Sequence, residues 1–98
     1  MSDISTLSVR PDMRDRGVYN ICLAAEGWYI NHDNMAPESW DSLARAHPDH
    51  HDLLVKAGLL IRRDGMVYDR FRARYVESIN DDDGELIGFD ATLTGKDG

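Results

Sequence analysis

Apolar residues recur at helical spacing along the first third of the chain. Five of them fall on one face of a helix, namely Val18, Ile21, Cys22, Ala25 and Tyr29. Pro11 sets φ for a first helical turn, and Asp12 places a negative charge at the positive end of the helix dipole. The pattern therefore predicts a helix over about residues 12–31 that buries one face.

Two shorter helices are predicted between residues 37 and 58. The first begins near Pro37 and ends before Pro48, because the residue that precedes a proline avoids the α region. Its apolar face consists of Trp40, Leu43 and Ala44. The second begins at Pro48 and ends at Gly58, which suits a left-handed C-terminal position. Its buried face consists of Leu53, Leu54 and Ala57. Two short helices joined by a turn are typical of a helix-turn-helix.

A tight β-hairpin follows these helices. The β-prone runs LLIRR and MVYDRF flank Asp64-Gly65, and Asp-Gly suits a type I′ turn, in which both central residues have positive φ. This turn predicts four facing pairs: Arg63 with Met66, Arg62 with Val67, Ile61 with Tyr68, and Leu60 with Asp69.

The two ends of the chain carry weaker patterns. Residues 1–11 contain a short apolar stretch and are interpreted as an N-terminal arm. Residues 76–98 contain the polar turn DDDG and the run ELIGFDATL, which is either a strand or a clamp over the core. We therefore predict an arm at 1–11, a main domain at 12–75 and an acidic C-terminal extension at 76–98.

Composition indicates a single domain of ordinary size, with 98 residues of which 42% are hydrophobic. No stretch approaches the roughly 18 apolar residues that span a bilayer, and the N-terminus lacks the pattern of a signal peptide. The single cysteine, Cys22, cannot form an internal disulfide and falls in an apolar pattern. These features favour a location in a reducing cytoplasm.

Charge is unevenly distributed along the chain. The net charge is −7, which argues against broad, non-specific binding to a nucleic-acid backbone. Residues 55–75, however, hold six Lys or Arg against two Asp or Glu. A basic band therefore lies between two acidic segments.

The stretch SWDSLARAHPDHHDLLVKAGLLIRRDGMVYDRF (Ser39–Phe71) resembles the winged-helix module found near the N-terminus of phage and mobile-element replication proteins. It is also similar to the winged helices of transcription regulators. The resemblance implies an α+β, three-helix winged-helix domain, with Asp49–Ala57 as recognition helix and Leu59–Phe71 as wing. The sequence departs from the pattern at Asp49 and Asp52, which would meet phosphates with the wrong sign.

The basic band is the candidate nucleic-acid-binding site. Cations alternate there with aromatic residues, as in proteins that bind single strands. The candidate residues are Arg62, Arg63, Arg70, Arg72, Arg74, Lys56 and Tyr68. The alternative is that these arginines pair with the acidic segment of the chain, with Asp69, or with a protein partner.

The acidic segment is the candidate site for a protein partner. A row of carboxylates can imitate phosphates and occupy a basic groove on another protein. The candidate residues are Glu77, Asp81, Asp82, Asp83 and Glu85, together with Trp28, which lies off the main apolar stripe of its helix. The alternative is an ordinary turn with a solvated edge.

Metal binding and catalysis have little support in the sequence. His47, His50 and His51 have helical spacing, with Asp52 or Asp33 as a further ligand. Pro48 interrupts that helix, and no Glu occupies the position of a general base. Neither a phosphate-binding glycine loop nor a serine nucleophile motif is present. We therefore predict no bound metal, no cofactor and no enzymatic activity.

The combined hypothesis is a non-enzymatic regulatory or replication-associated module of phage or mobile-element type that acts mainly by protein binding. One form of it is an inhibitor that docks on a host nucleoprotein machine through its acidic surface. The first alternative is a winged-helix protein that binds DNA or RNA through the basic wing. The second is a metal-dependent enzyme centred on His47 and His51. The identity of the partner and the oligomeric state stay open at this point.

Overall fold

A computed structural model describes residues 6–93 of the chain. Its elements are β1 (Thr6–Val9), α1 (Arg16–Asn31), α2 (Ser42–Ala46), α3 (His51–Lys56), β2 (Leu60–Arg63), β3 (Met66–Asp69), β4 (Arg74–Asn80) and β5 (Leu86–Leu93). The architecture is α+β with two antiparallel sheets, one of order β1-β5-β4 and the other the hairpin β2-β3.

The long helix α1 forms as the apolar spacing predicts. All five residues of the predicted stripe are buried. The helix begins at Arg16 rather than near Asp12, because the carboxylate of Asp15 accepts hydrogen bonds from the amides of Gly17 (3.0 Å) and Val18 (3.2 Å). An aspartate cap of this kind satisfies backbone donors that a first helical turn leaves free.

The two short helices are shorter than predicted. Helix α2 has five residues and begins at Ser42, and α3 has six and begins at His51. The prediction that Trp40 lies on a buried helix face is wrong, because this residue precedes α2 and is 59% exposed. The left-handed position at Gly58 is confirmed, with φ of +84°.

The β2-β3 hairpin has the predicted register at all four pairs. Asp64 and Gly65 adopt φ of 54° and 79°, as a type I′ turn requires.

The second sheet was not predicted. Strand β5 lies at its centre, paired with β4 on one side and with β1 on the other, so that Ala91 faces both Val76 and Leu7. The ring of Phe89 on β5 packs against Tyr29 of α1, with 6.0 Å between the centroids. Residues 76–93 therefore form most of the larger sheet and contribute part of the core.

These features overturn the winged-helix prediction. Two of the helices are only five and six residues long, and the larger sheet joins the first and last strands. The order of helix, helix and hairpin is present, but α1 is covered by β5 as well as by α3. The proposed division of the chain at residues 11 and 75 stays a prediction, although strands on both sides of it share one sheet.

The pairing of β1 with β5 depends on a close approach at Gly88. A Cβ at this position would overlap the backbone carbonyl oxygen of Val9 and lie 2.8 Å from Cδ of Arg10. Gly88 does not have a left-handed φ, so its backbone conformation does not demand glycine. Glycine is required because a larger side chain would not fit against Val9.

Candidate functional site

The loop before α2 lies alongside the segment that joins β3 to β4. The amide of Ala36 donates to the carbonyl of Arg74 (2.9 Å), and the amide of Ala73 donates back to the carbonyl of Ala36 (3.1 Å). At the other end, the amide of Asp69 donates to the carbonyl of Trp40 (2.7 Å). Residues 36–40 and 69–74 are thus joined by backbone hydrogen bonds at both ends.

The joining segment exposes its arginines because Phe71 is fully buried in the core. Its neighbours Arg70 and Arg72 are both exposed. Ala73 then adopts φ of 60°, a left-handed conformation that is unfavourable for a residue with a Cβ. The chain can therefore turn into β4 and carry Arg74, which is half-buried, beside the other two arginines.

Two aromatic rings lie next to these arginines. The guanidinium carbon of Arg72 is 5.0 Å from the ring centroid of Trp40, which is within cation–π range. The ring of Tyr68 is 5.3 Å from that of Trp40. We call the two rings and the four neighbouring arginines the arginine–tryptophan surface. It comprises Trp40, Arg63, Tyr68, Arg70, Arg72 and Arg74.

Two open clefts indent this surface. One has a volume of about 340 Å³ and lies between Trp40, Tyr68 and Arg63. The other has a volume of about 450 Å³ and lies between Arg74 and Glu38. Arg70 and Arg72 line both clefts. The clefts are therefore neighbours and offer cations and aromatic faces to a common ligand.

The candidate cations differ in whether they have acidic partners. Arg62 pairs with Asp52 at 2.8 Å, and Lys56 pairs with Asp15 at 2.9 Å. These two cations support the position of α3 and lie outside the clefts. Within residues 6–93, Arg63, Arg70 and Arg72 form no ion pair, so their charge is available to an anionic ligand.

The buried carboxylate of Asp69 does not neutralise the arginines beside it. Its two oxygens accept hydrogen bonds from the amides of Leu43 (2.8 Å) and Ala44 (3.2 Å) at the start of α2. Burial raises the pKa of Asp69, and these amide hydrogen bonds oppose the rise. Asp69 is therefore the cap of α2, supplied from a strand 26 residues away in sequence from Leu43.

The acidic candidates lie on other parts of the molecule. The carboxylate of Asp81 accepts the amides of Asp83 and Glu85, both at 2.9 Å, and so shapes the turn between β4 and β5. Glu85 accepts a hydrogen bond from the hydroxyl of Tyr19 at 2.6 Å. Asp82 is exposed in the same turn. A role of these residues in partner binding stays a prediction.

Glu77 and Trp28, the other two candidates for partner binding, lie apart from that turn. Glu77 is exposed on β4 and faces Asp90 across the sheet. Trp28 is half-buried on α1, with its ring 4.3 Å from that of His32. Neither residue lines the clefts of the arginine–tryptophan surface.

The histidines are not gathered around a common point. A ring nitrogen of His51 donates to the carbonyl of Ala44 (2.8 Å), and one of His47 donates to the carbonyl of Leu43 (3.3 Å). Both side chains thus satisfy carbonyls of α2. Among the residues that the structure describes, no three His, Cys, Asp or Glu side chains are grouped to hold a metal ion.

Trp40 is the member of the surface that the sequence interpretation missed. Asp41 and Ser42 follow it directly, and both residue types are favoured at helix N-caps. That signal would have placed the start of α2 after Trp40 and left the indole outside the helix.

The fold and this surface define a small α+β domain with one cationic, aromatic face. The chain matches the family model of the DNA primase catalytic core, N-terminal domain, over residues 19–97. It therefore belongs to this family.

Curated relatives support the same assignment. The DNA primase of Legionella pneumophila is 40% identical over 67 residues, which are 67% of this chain and 12% of the relative. The DNA primase of Deinococcus radiodurans is 44% identical over 59 residues, or 55% of this chain and 10% of the relative. The chain thus spans only about an eighth of the length of such primases.

Solved structures give the same fold. A structure of the DnaG catalytic core is 34% identical with a TM-score of 0.53, and the match covers 65% of this chain and 21% of that one. A DNA primase domain from Pseudomonas aeruginosa is 28% identical with a TM-score of 0.56, covering 89% and 30%. A DnaG primase catalytic domain bound to ssDNA is 23% identical with a TM-score of 0.61, covering 84% and 36%.

These findings correct the functional hypothesis drawn from the sequence. The resemblance to a phage or mobile-element winged helix is wrong, and so is the regulatory or inhibitory role that was inferred from it. The winged-helix and metal-site alternatives do not fit better. The expectation of a protein without enzymatic activity is also wrong at the level of the family, because the relatives are DNA primases, which are enzymes. Within residues 6–93, no helix is long and apolar enough to cross a membrane.

Proposed function

We propose that this chain serves a DNA primase as the part of its catalytic core that binds the single-stranded DNA template, through the arginine–tryptophan surface. Priming as a whole would require the remainder of such a core, since the chain corresponds to 12% of the length of its Legionella relative. A cytoplasmic location, as expected from the reduced Cys22, belongs to the same proposal.

The exposed indole of Trp40 is the observation that carries the proposal. A large aromatic ring that is 59% exposed does not gain the favourable free energy of burial in the core. Beside it lie three arginines without ion pairs among residues 6–93, namely Arg63, Arg70 and Arg72. Stacking of bases on aromatic rings, with cations along the backbone, is the usual chemistry of single-strand binding.

The net charge of −7 does not oppose this proposal. Acidic residues concentrate elsewhere, and Asp81 and Glu85 line a separate cleft with Arg16 and Tyr19. The positive potential is thus local, which favours binding at one surface over coating of a nucleic acid. The neighbour that is bound to ssDNA shares the fold, and this supports the same assignment.

The test is the affinity of the chain for a labelled oligothymidylate, measured by fluorescence anisotropy at several salt concentrations. If Arg63, Arg70 and Arg72 each neutralise one phosphate, the plot of log K against log salt should have a slope of about −2. The variant Arg70→Ala should reduce the magnitude of that slope by about 0.7.

The variant Trp40→Ala separates stacking from charge. Loss of one stacked base costs about 1–3 kcal/mol, so affinity should fall roughly fivefold to 150-fold while the salt slope stays the same. The matched control for Arg70→Ala is Arg14→Ala, which removes the same charge from a side chain that is 92% exposed and pairs only with Asp12 in the described part of the chain. The proposal fails if Trp40→Ala and Arg70→Ala bind like the unaltered chain, or if no binding is seen even at low salt.

A further inference from the structure

The side chain of Trp40 lies at the surface of the protein and is not packed into the core. Its indole contacts Tyr68 and the guanidinium of Arg72, both of which are themselves partly solvated. Core packing therefore does not fix the direction of the ring. Besides these two contacts, the position of the ring depends on the backbone of the loop that carries it.

The backbone of this loop is anchored from β3 by one residue, Asp69. Its amide donates to the carbonyl of Trp40 at 2.7 Å. Its carboxylate accepts the amides of Leu43 at 2.8 Å and of Ala44 at 3.2 Å. Three hydrogen bonds thus hold the indole-bearing residue and the first turn of α2 to the strand that leads into Arg70.

Asp69 is also the only buried charged residue among residues 6–93, with 6% exposure. Burying a carboxylate is unfavourable unless donors replace the lost water. Asp41, which occupies the N-cap position of α2, makes no capping hydrogen bond and instead pairs with Arg45 at 3.0 Å. The first turn of α2 is therefore capped by the buried carboxylate of Asp69, although Asp41 at the N-cap position could have capped it from the surface.

We propose that Asp69 is a positioning residue, which fixes the Trp40 loop against β3 and so holds the indole beside Arg72 in the orientation that stacks on a base. This inference rests on the proposed function for its consequence, but the fixing of the loop is measurable without any ligand. Asparagine is the natural test. Its oxygen can accept one of the two α2 amides, whereas its NH₂ group would face the other amide, donor against donor.

The experiment uses the chain with Trp28→Phe, because Trp40 is then the only tryptophan. Fluorescence anisotropy of the indole and its quenching by acrylamide report how firmly Trp40 is held. We expect Asp69→Asn to lower the anisotropy, raise the quenching and weaken oligothymidylate binding about fivefold. The matched control Asp41→Asn makes the same chemical change at a carboxylate next to Trp40 and should alter none of the three.

The outcomes separate this inference from the proposed function. Unchanged anisotropy and quenching in Asp69→Asn would overturn the positioning role, whatever happens to binding. A mobile indole with unchanged affinity would overturn it as well, provided that Trp40→Ala weakens binding. If Trp40→Ala itself leaves affinity unchanged, the proposed function fails, while the fluorescence result still tests whether Asp69 holds the loop.

A measurement on the unaltered chain covers the case in which Asp69→Asn does not fold. The amides of Leu43 and Ala44 should exchange slowly with deuterium in NMR spectra, because a buried carboxylate accepts both. Exchange as fast as that of Glu38, an exposed residue of the loop before α2, would overturn the inference without any substitution.

Discussion

Replacement of Phe71 by alanine tests how the arginine–tryptophan surface is built. The ring of Phe71 is fully buried, and the residues on either side of it are Arg70 and Arg72. Truncation of a buried phenylalanine removes its transfer free energy and leaves a cavity, at a cost of about 3–5 kcal/mol. Domains of this size have a total stability of about 5–15 kcal/mol, so the loss is a large share of it.

The free energy of unfolding can be measured by urea denaturation followed by circular dichroism. We expect Phe71→Ala to lower it by about 3–5 kcal/mol and to lower the melting temperature by roughly 12–40 °C. Met66→Ala is the control, because Met66 is 58% exposed and its loss should change stability by no more than about 0.5 kcal/mol. A loss below about 1 kcal/mol in Phe71→Ala would refute the reasoning. The alternation that exposes Arg70 and Arg72 would then be wrong too.

Three further substitutions test local features. Lys56 and the capping amides hold the pKa of Asp15 below its ordinary value of 3.8; this carboxylate therefore contributes stability above about pH 4 that is lost as the pH falls. Asp15→Asn should lower the melting temperature at neutral pH, by a margin that shrinks below about pH 4, and a constant margin would contradict this. Ala73→Gly should stabilise the protein by about 1 kcal/mol in urea denaturation because it relieves the positive φ, and destabilisation would argue against that strain. Gly88→Ala should disrupt the pairing of β1 with β5, seen as rapid amide exchange in β1, and retained protection there would disprove the close approach to Val9.

Local signals in the sequence were sufficient for some elements. The periodic apolar stripe located α1, and the Asp64-Gly65 turn fixed the register of the hairpin at all four pairs. Both elements depend on interactions between residues close in sequence, which a single sequence displays directly.

The remaining elements depend on distant residues. Helix α2 is capped by Asp69 from 26 residues away, so the hydrogen bonds that hold its first turn cannot be read from its own residues. Strand β1 finds its partner in β5, with Leu7 facing Ala91, and no local pattern announces such a pairing. The order of helix, helix and hairpin is shared by many folds, and for that reason the resemblance to a winged helix misled.

The arginines and Tyr68 of the arginine–tryptophan surface were candidates from the sequence alone, whereas Trp40 was not. The excess of arginine over residues 55–75 indicated the segment that supplies all four arginines of the arginine–tryptophan surface. Which of those arginines have acidic partners is decided by contacts with α3, where Asp52 engages Arg62. The place of Trp40 beside Arg72 follows from the backbone pairing of two segments about 30 residues apart, and it required the structure.

The pairing of β1 with the central strand β5 affects how this domain can be handled in the laboratory. A fragment that began after residue 11 would lack β1 and leave the hydrogen-bonding groups along one side of β5 without their partner. An open strand edge of that kind readily pairs with a second chain, and the fragment would then associate or aggregate. Shortened fragments for binding or crystallisation should therefore retain Thr6–Val9, even though these four residues lie far in sequence from the arginine–tryptophan surface.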